Sequence, residues 1–118
     1  MLDRTIVIGT TTHIPMTFVD ASGYGIDHTT GSRVTKLRLT LAGGTVPSYT
    51  LETTDSGEFT WTSQTEGVGT WLFESDDVFT AGTYKASVVY TDPSATPDDI
   101  FLLGEATYII RNPETGAL

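Results

Sequence analysis

The two histidines, His13 and His28, are the first residues to weigh as catalysts or metal ligands, and a strand-like run and a loop separate them. The chain has no cysteine, and no regularly spaced carboxylate joins the pair in a zinc-type pattern. Surface or half-buried histidines are therefore expected. Serine is common, but there is no G-x-S-x-G elbow, and nothing sets a base beside a particular hydroxyl. A glycine-rich phosphate cradle needs a strand followed by a helix, and no segment carries a helical period. Hydrolysis and nucleotide binding both lack their parts, so the sequence points to no enzyme, no catalytic residue and no cofactor.

Carboxylates do cluster, as Asp76 and Asp77 before Phe79 and as Asp92 with Asp98 and Asp99 around a proline loop. Loop carboxylates with nearby carbonyls are what calcium accepts, although EF-hand spacing is absent. The alternative is that these are solvated turn residues bonding to their own backbone. Trp61, Trp71 and Tyr49 could stack on a sugar ring, but each is in strand phase with another apolar residue: Phe59 with Trp61, Phe73 with Trp71, Leu51 with Tyr49. That phase assigns them to a core. Tyr24, in a glycine-flanked loop, is the better candidate for an exposed contact.

The elements that must position these residues are strands. Gly67 to Thr91 organises the rest: Trp71 and Phe73 share one face of its first run, and Tyr84, Ala86, Val88 and Tyr90 share one face of its second. Thr80-Ala81-Gly82 makes the corner between them. Gly82 permits the turn, and Tyr84 can return its hydroxyl to the backbone as a tyrosine corner does. Earlier in the chain, His13 to Val19 places Ile14, Met16 and Phe18 inward. Pro15, lacking an amide donor, marks that strand as a sheet edge. Asp20 to Ser32 reads as a tight turn followed by an exposed loop. Arg33 to Leu41 turns Leu37, Leu39 and Leu41 inward. Strands are also expected at Arg4 to Gly9, Val46 to Thr53, Glu58 to Ser63 and Ile100 to Ile110, the last placing Ala106, Tyr108 and Ile110 on one face.

The expected fold is thus all-β, an immunoglobulin-like β-sandwich of about seven to eight antiparallel strands. Its core is Leu37, Leu39, Phe59, Trp61, Trp71, Phe73, Gly82, Tyr84, Val88 and Tyr108. A length of 118 residues fits one domain, recognisable over about 13–111 with short N- and C-terminal arms. A net charge of −9 argues against a surface built to neutralise phosphates, so no nucleic acid is expected. No signal peptide is apparent, and no apolar run approaches the length of a membrane span. Lack of cysteine suits folding in a reducing cytoplasm.

The early HIPMTFVDASGYGID and the later WLFESDD-x-FTAGTYKASV resemble the immunoglobulin-like N-terminal domains of phage baseplate and tail-fibre proteins, the baseplate upper-protein N-terminal family being the nearest. In that group an extended strand ending in a D-x-x-G turn comes first, and an aromatic strand, an acidic turn and a G-x-Y strand come late. The resemblance runs from Ile14 to Ile110. It implies a structural, non-enzymatic adaptor of a phage or prophage particle (tail, baseplate, fibre or head decoration), located in the virion after synthesis in the host cytoplasm. Its partners would be other virion proteins and copies of itself, reached through strand edges, end loops and the segments Met1 to Gly9 and Arg111 to Leu118. Members of that group are usually followed by a long fibre or receptor-binding region, whereas this chain stops at Leu118, as a small stand-alone virion protein or a piece of a longer one would. The competing reading is a carbohydrate-binding accessory module that uses the loop Asp20 to Ser32.

Overall fold

Alternating apolar and polar residues, broken by Gly, Asp and Pro turns, fold into strands wherever one face can be buried. The computed structural model describes residues 1–29, 33–55, 57–74, 80–94 and 97–113. Among these there is no helix, and the strands are β1 (Arg4–Val7), β2 (Thr11–Thr17), β3 (Val34–Leu41), β4 (Tyr49–Glu52), β5 (Phe59–Ser63), β6 (Val68–Glu74), β7 (Gly82–Asp92) and β8 (Asp99–Arg111). They form a five-stranded sheet in the order β1-β8-β7-β3-β4 and a three-stranded sheet in the order β2-β6-β5. Both sheets contribute to one core cluster.

Of the expected core, Leu37, Leu39, Phe59, Trp71, Phe73, Tyr84, Val88 and Tyr108 are buried. Trp61 and Gly82 are half-buried at its margin. Ile14 and Phe18 are buried as well, and Pro15 lies on β2, an edge strand. Rings fill the middle: Trp71 meets Phe18 at 5.4 Å and Phe59 at 5.0 Å between centroids, both edge to face. Gly69 exists for this packing, since a Cβ there would lie 2.4 Å from the Phe59 ring.

Four expectations are corrected. The strands are not all antiparallel: β1 pairs with β8 in parallel, Arg4 opposite Tyr108 through Val7 opposite Arg111. The strand expected at Arg4 to Gly9 is β1, which adds to the larger sheet, and Ile6 on it is buried in the core. Full burial of such a side chain contributes about 2 kcal/mol, which helps hold a strand of four residues in place. Leu41 is 41% exposed, because at the last position of β3 it lies over Gly82, which has no side chain to cover it. Gly82 in turn does not make a special corner; it opens β7 in register with Ile110, without positive φ, and its smallness leaves room for Leu41. The loop after Asp20 is less exposed than expected, for reasons that involve His28.

The Tyr84 hydroxyl does return to the backbone, donating to the Thr80 carbonyl at 2.6 Å. From the facing hairpin, the Tyr49 hydroxyl accepts the Thr80 amide at 2.8 Å. Two tyrosines from β4 and β7 thus hold both polar groups of one residue where the chain enters β7.

Candidate functional site

The segment after β2 is held by short-range bonds that follow from its residue types. The Asp20 carboxylate accepts the amides of Ser22 at 2.9 Å and Tyr24 at 3.1 Å, and the Gly23 amide closes a turn on the Asp20 carbonyl at 3.0 Å. Asp and Gly are the residues that favour such a turn, and Gly23 takes a φ of 84°. Val19 bridges to Gly25, leaving Tyr24 at the tip, 74% exposed, as the sequence implies.

His28 fastens the far end of this loop to the core. It is only 4% exposed, not a surface histidine. Nδ1 bonds the Ile26 carbonyl at 2.9 Å and Nε2 bonds the Thr35 hydroxyl at 2.7 Å. A carbonyl can only accept, so the proton sits on Nδ1 and Thr35 donates to Nε2. Phe18, Trp61 and Tyr90 surround the ring, and burial pushes its pKa below the ordinary value. Although a hydroxyl beside an imidazole is a nucleophile-and-base arrangement, Thr35 is wholly buried, so no substrate reaches it. The pair is structural.

Between this loop and the start of β8 lies a groove of about 760 Å³. One wall is Val19, Asp20, Ile26 and Asp27; the other includes Tyr90, Phe101 and Leu102. The Arg33 guanidinium ties the two sides, donating to the Asp27 carbonyl at 2.8 Å and to Asp92 Oδ2 at 3.2 Å. Bonds from Ser94, and then Arg33, hold the Asp92 carboxyl below the usual range; bonds from Thr29 do the same for Asp27. Four carboxylates, Asp20, Asp27, Asp92 and Asp99, therefore line the groove against one guanidinium.

The groove's second wall is unusual in what it exposes. Val88 pairs with Gly104 but Val89 with Leu102, so Leu103 is an extra residue, a β-bulge, in β8. Beyond the bulge Phe101 lies opposite Tyr90 and stacks on it with centroids 6.0 Å apart. Ile100, Phe101 and Leu102 are nevertheless 63%, 53% and 57% exposed. Parallel pairing with β1 covers β8 only from Tyr108 to Arg111, and Asp3 adds one bond, accepting the Thr107 amide at 2.9 Å. Among the described residues, no strand pairs with Asp99 to Leu103 on the side away from β7.

Of the calcium candidates, Asp76 and Asp77 lie outside the described residues. Asp92 has both oxygens engaged, by Arg33 and by Ser94, and is no open ligand. Asp98 and Asp99 are exposed, with Asp99 opposite Asp92 in the ladder. Among the described residues no three His, Cys, Asp or Glu side chains gather to hold a metal. Tyr49 packs at the core margin, and Trp61 sits against Phe59 and His28. Neither makes a flat exposed platform together with Trp71, which is fully buried. The groove residues Val19, Arg33 and Ile100 to Leu102 escaped the sequence reading. Their one visible signal was the uniformly apolar run after Asp99.

No protein-family model matches the chain, and no curated protein matches it significantly.

Proposed function

We propose that this chain is a non-enzymatic, immunoglobulin-like adaptor of a phage or prophage particle that works through protein contacts at a strand edge. The observation that carries the reading is the exposed apolar run Ile100-Phe101-Leu102 on an edge of β8 that no strand pairs among the described residues. Unpaired amides and carbonyls beside exposed apolar side chains are a template for another chain. The strand order supports the immunoglobulin reading. β2, β6 and β5 stand as B, E and D, while β1, β8, β7, β3 and β4 stand as A′, G, F, C and C′. Tyr84 occupies the tyrosine-corner position at the start of F. The inter-sheet disulfide of antibody domains has no counterpart, and aromatic packing around Trp71 fills that part of the core. The phage assignment rests on the motif resemblance.

The double variant Ile100→Lys, Leu102→Lys tests the reading, because both side chains are exposed and lie outside the buried core, with a urea midpoint to confirm that it folds. Wild-type chain, expressed with its neighbouring genes, is expected to co-sediment with assembled particles, and the variant to stay in the supernatant. Equal incorporation of both removes the edge from the assembly, and absence of the wild type from particles removes the particle role.

A carbohydrate-binding role is the second reading, favoured by Tyr24 at the loop tip beside the groove. It requires a saccharide-dependent change on titration that Tyr24→Ala abolishes.

A further inference from the structure

We propose that the free edge of β8 from Asp99 to Leu103, together with the groove beside it, receives an extended partner segment in which lysine or arginine alternates with apolar residues. The proposal rests on the adaptor reading and names the chemistry of what docks there.

The other sheet edges are defended in ways natural proteins use. β2 carries Pro15 and exposes Thr11, His13 and Thr17. β5 is bulged after Trp61 and exposes Thr60 and Thr62. β4 has four residues and ends in Glu52, which pairs with Lys36 at 3.3 Å. β1 also has four residues and begins with Arg4. The start of β8 has no proline and no lysine, and three consecutive apolar side chains stand in solvent. That composition is a liability unless something covers it.

The added strand would present side chains to both faces. On the inner face they would meet Phe101, Val19 and the acidic groove; on the outer face they would meet Ile100 and Leu102. Charge selects the occupant. Asp20, Asp27, Asp92 and Asp99 line the groove, and its one cation, Arg33, is already shared between Asp92 and the Asp27 carbonyl. A cationic segment gains from that field, and an acidic one is repelled. A second copy fits poorly, since edge-to-edge pairing would bring together two acidic grooves on two chains of charge −9.

The probe is a fluorescein-labelled peptide alternating Lys and Val, compared by anisotropy with a Glu/Val peptide of equal length and a Lys/Pro peptide that cannot pair as a strand. The Lys/Val peptide is expected to bind at least about tenfold more tightly than either control. Ile100→Lys with Leu102→Lys should weaken it by a similar factor, and Asp20→Asn with Asp99→Asn by about threefold, with urea midpoints confirming that each variant folds. Equal binding of Glu/Val overturns the charge argument, and equal binding of Lys/Pro overturns strand addition. Self-association by light scattering that the lysine variant abolishes would give the edge to a second copy and overturn the proposal. So would a saccharide that displaces the peptide more tightly than the peptide binds. If no peptide binds while the lysine variant still drops out of particles, the adaptor reading survives and the assigned chemistry falls.

Discussion

Replacing Tyr84 with Phe tests the most specific local prediction that sequence and structure share. The ring is buried, so Phe keeps its packing, and what is lost is the 2.6 Å bond to the Thr80 carbonyl together with the hydroxyl's contact with Tyr49. Thr80 is exposed, which lets water take over the freed carbonyl. The loss is therefore chiefly the net worth of one hydrogen bond, about 1 kcal/mol, and not the larger cost of a buried orphan. With a urea slope of about 1.5 kcal/mol/M the midpoint should fall by about 0.7 M. The Thr80 amide is held by the Tyr49 hydroxyl, so Tyr49→Phe should cost a comparable amount. Because both hydroxyls order the same residue, the double variant should show a coupling of about 0.5 kcal/mol. Burial, and then the contact with Tyr49, push the Tyr84 phenol up to about 12, so it should resist alkaline titration until the protein unfolds. A Tyr84→Phe midpoint within about 0.2 M of wild type, with an additive double variant, would refute the clamp and leave both rings as packing alone.

Other substitutions probe the core and the loop anchor. Tyr108→Phe should shift the same urea midpoint little, because its buried hydroxyl has no well-aligned hydrogen-bond partner among the described residues and meets only the nearby Arg4 guanidinium; a loss above about 1 kcal/mol would show that Arg4 bonds it firmly. Gly69→Ala should cost about 2 kcal/mol by forcing Phe59 out of place, seen also as a changed near-ultraviolet tryptophan signal, and an unchanged midpoint would show that the ring moves freely. His28 should make stability depend on pH. Its folded pKa lies below 6.5, so the unfolded chain binds a proton that the folded chain refuses, and stability present above 6.5 is lost as pH falls through that value. Asp27 and Asp92, held below 3.8, act only in stronger acid. Between about pH 7 and about pH 5.5 the wild-type urea midpoint should therefore drop and that of His28→Gln should not; parallel slopes would sink this assignment.

Much of the fold was legible because half-buried strands repeat every two residues. Leu37 with Leu39, Trp71 with Phe73, and Tyr84 through Tyr90 announce their inward faces without any partner being known. Pro15 announces an edge, and Tyr84 at the entry to β7 announces the bond its hydroxyl returns to the backbone. Strand direction was not legible. β1 meets β8 about a hundred positions later, and nothing in four residues encodes whether that pairing is parallel. Thr35 and His28 were hidden for a related reason: each polar group is buried only because topology delivers the other. The free edge was hidden by its own composition, since a uniformly apolar run has no phase, and the bulge at Leu103 shifts the register besides.

The anchor and the edge belong to one physical arrangement. A docking strand must be ordered on binding, and that cost is smaller when the receiving surface is already fixed. Here one wall of the groove is β8, paired with β7 from Asp99 to Ile110 apart from the bulge at Leu103, and the other is a loop that would be mobile if its residues bonded only to each other. His28 removes that freedom. Its ring reaches Thr35 on β3, its amide donates to the Gln64 carbonyl at 3.1 Å, and its carbonyl accepts the Gln64 side chain at 3.0 Å. Arg33 then fixes the loop to Asp92 at the end of β7. Charging His28 would release the loop from one side only and leave the β8 ladder intact. Mild acid should therefore open the groove while the sandwich is still folded: the urea midpoint begins to decline below pH 6.5, and peptide affinity falls further down the scale, where His28 charges in the folded protein. Coincident pH profiles for binding and unfolding would show instead that loop and sandwich melt as a unit.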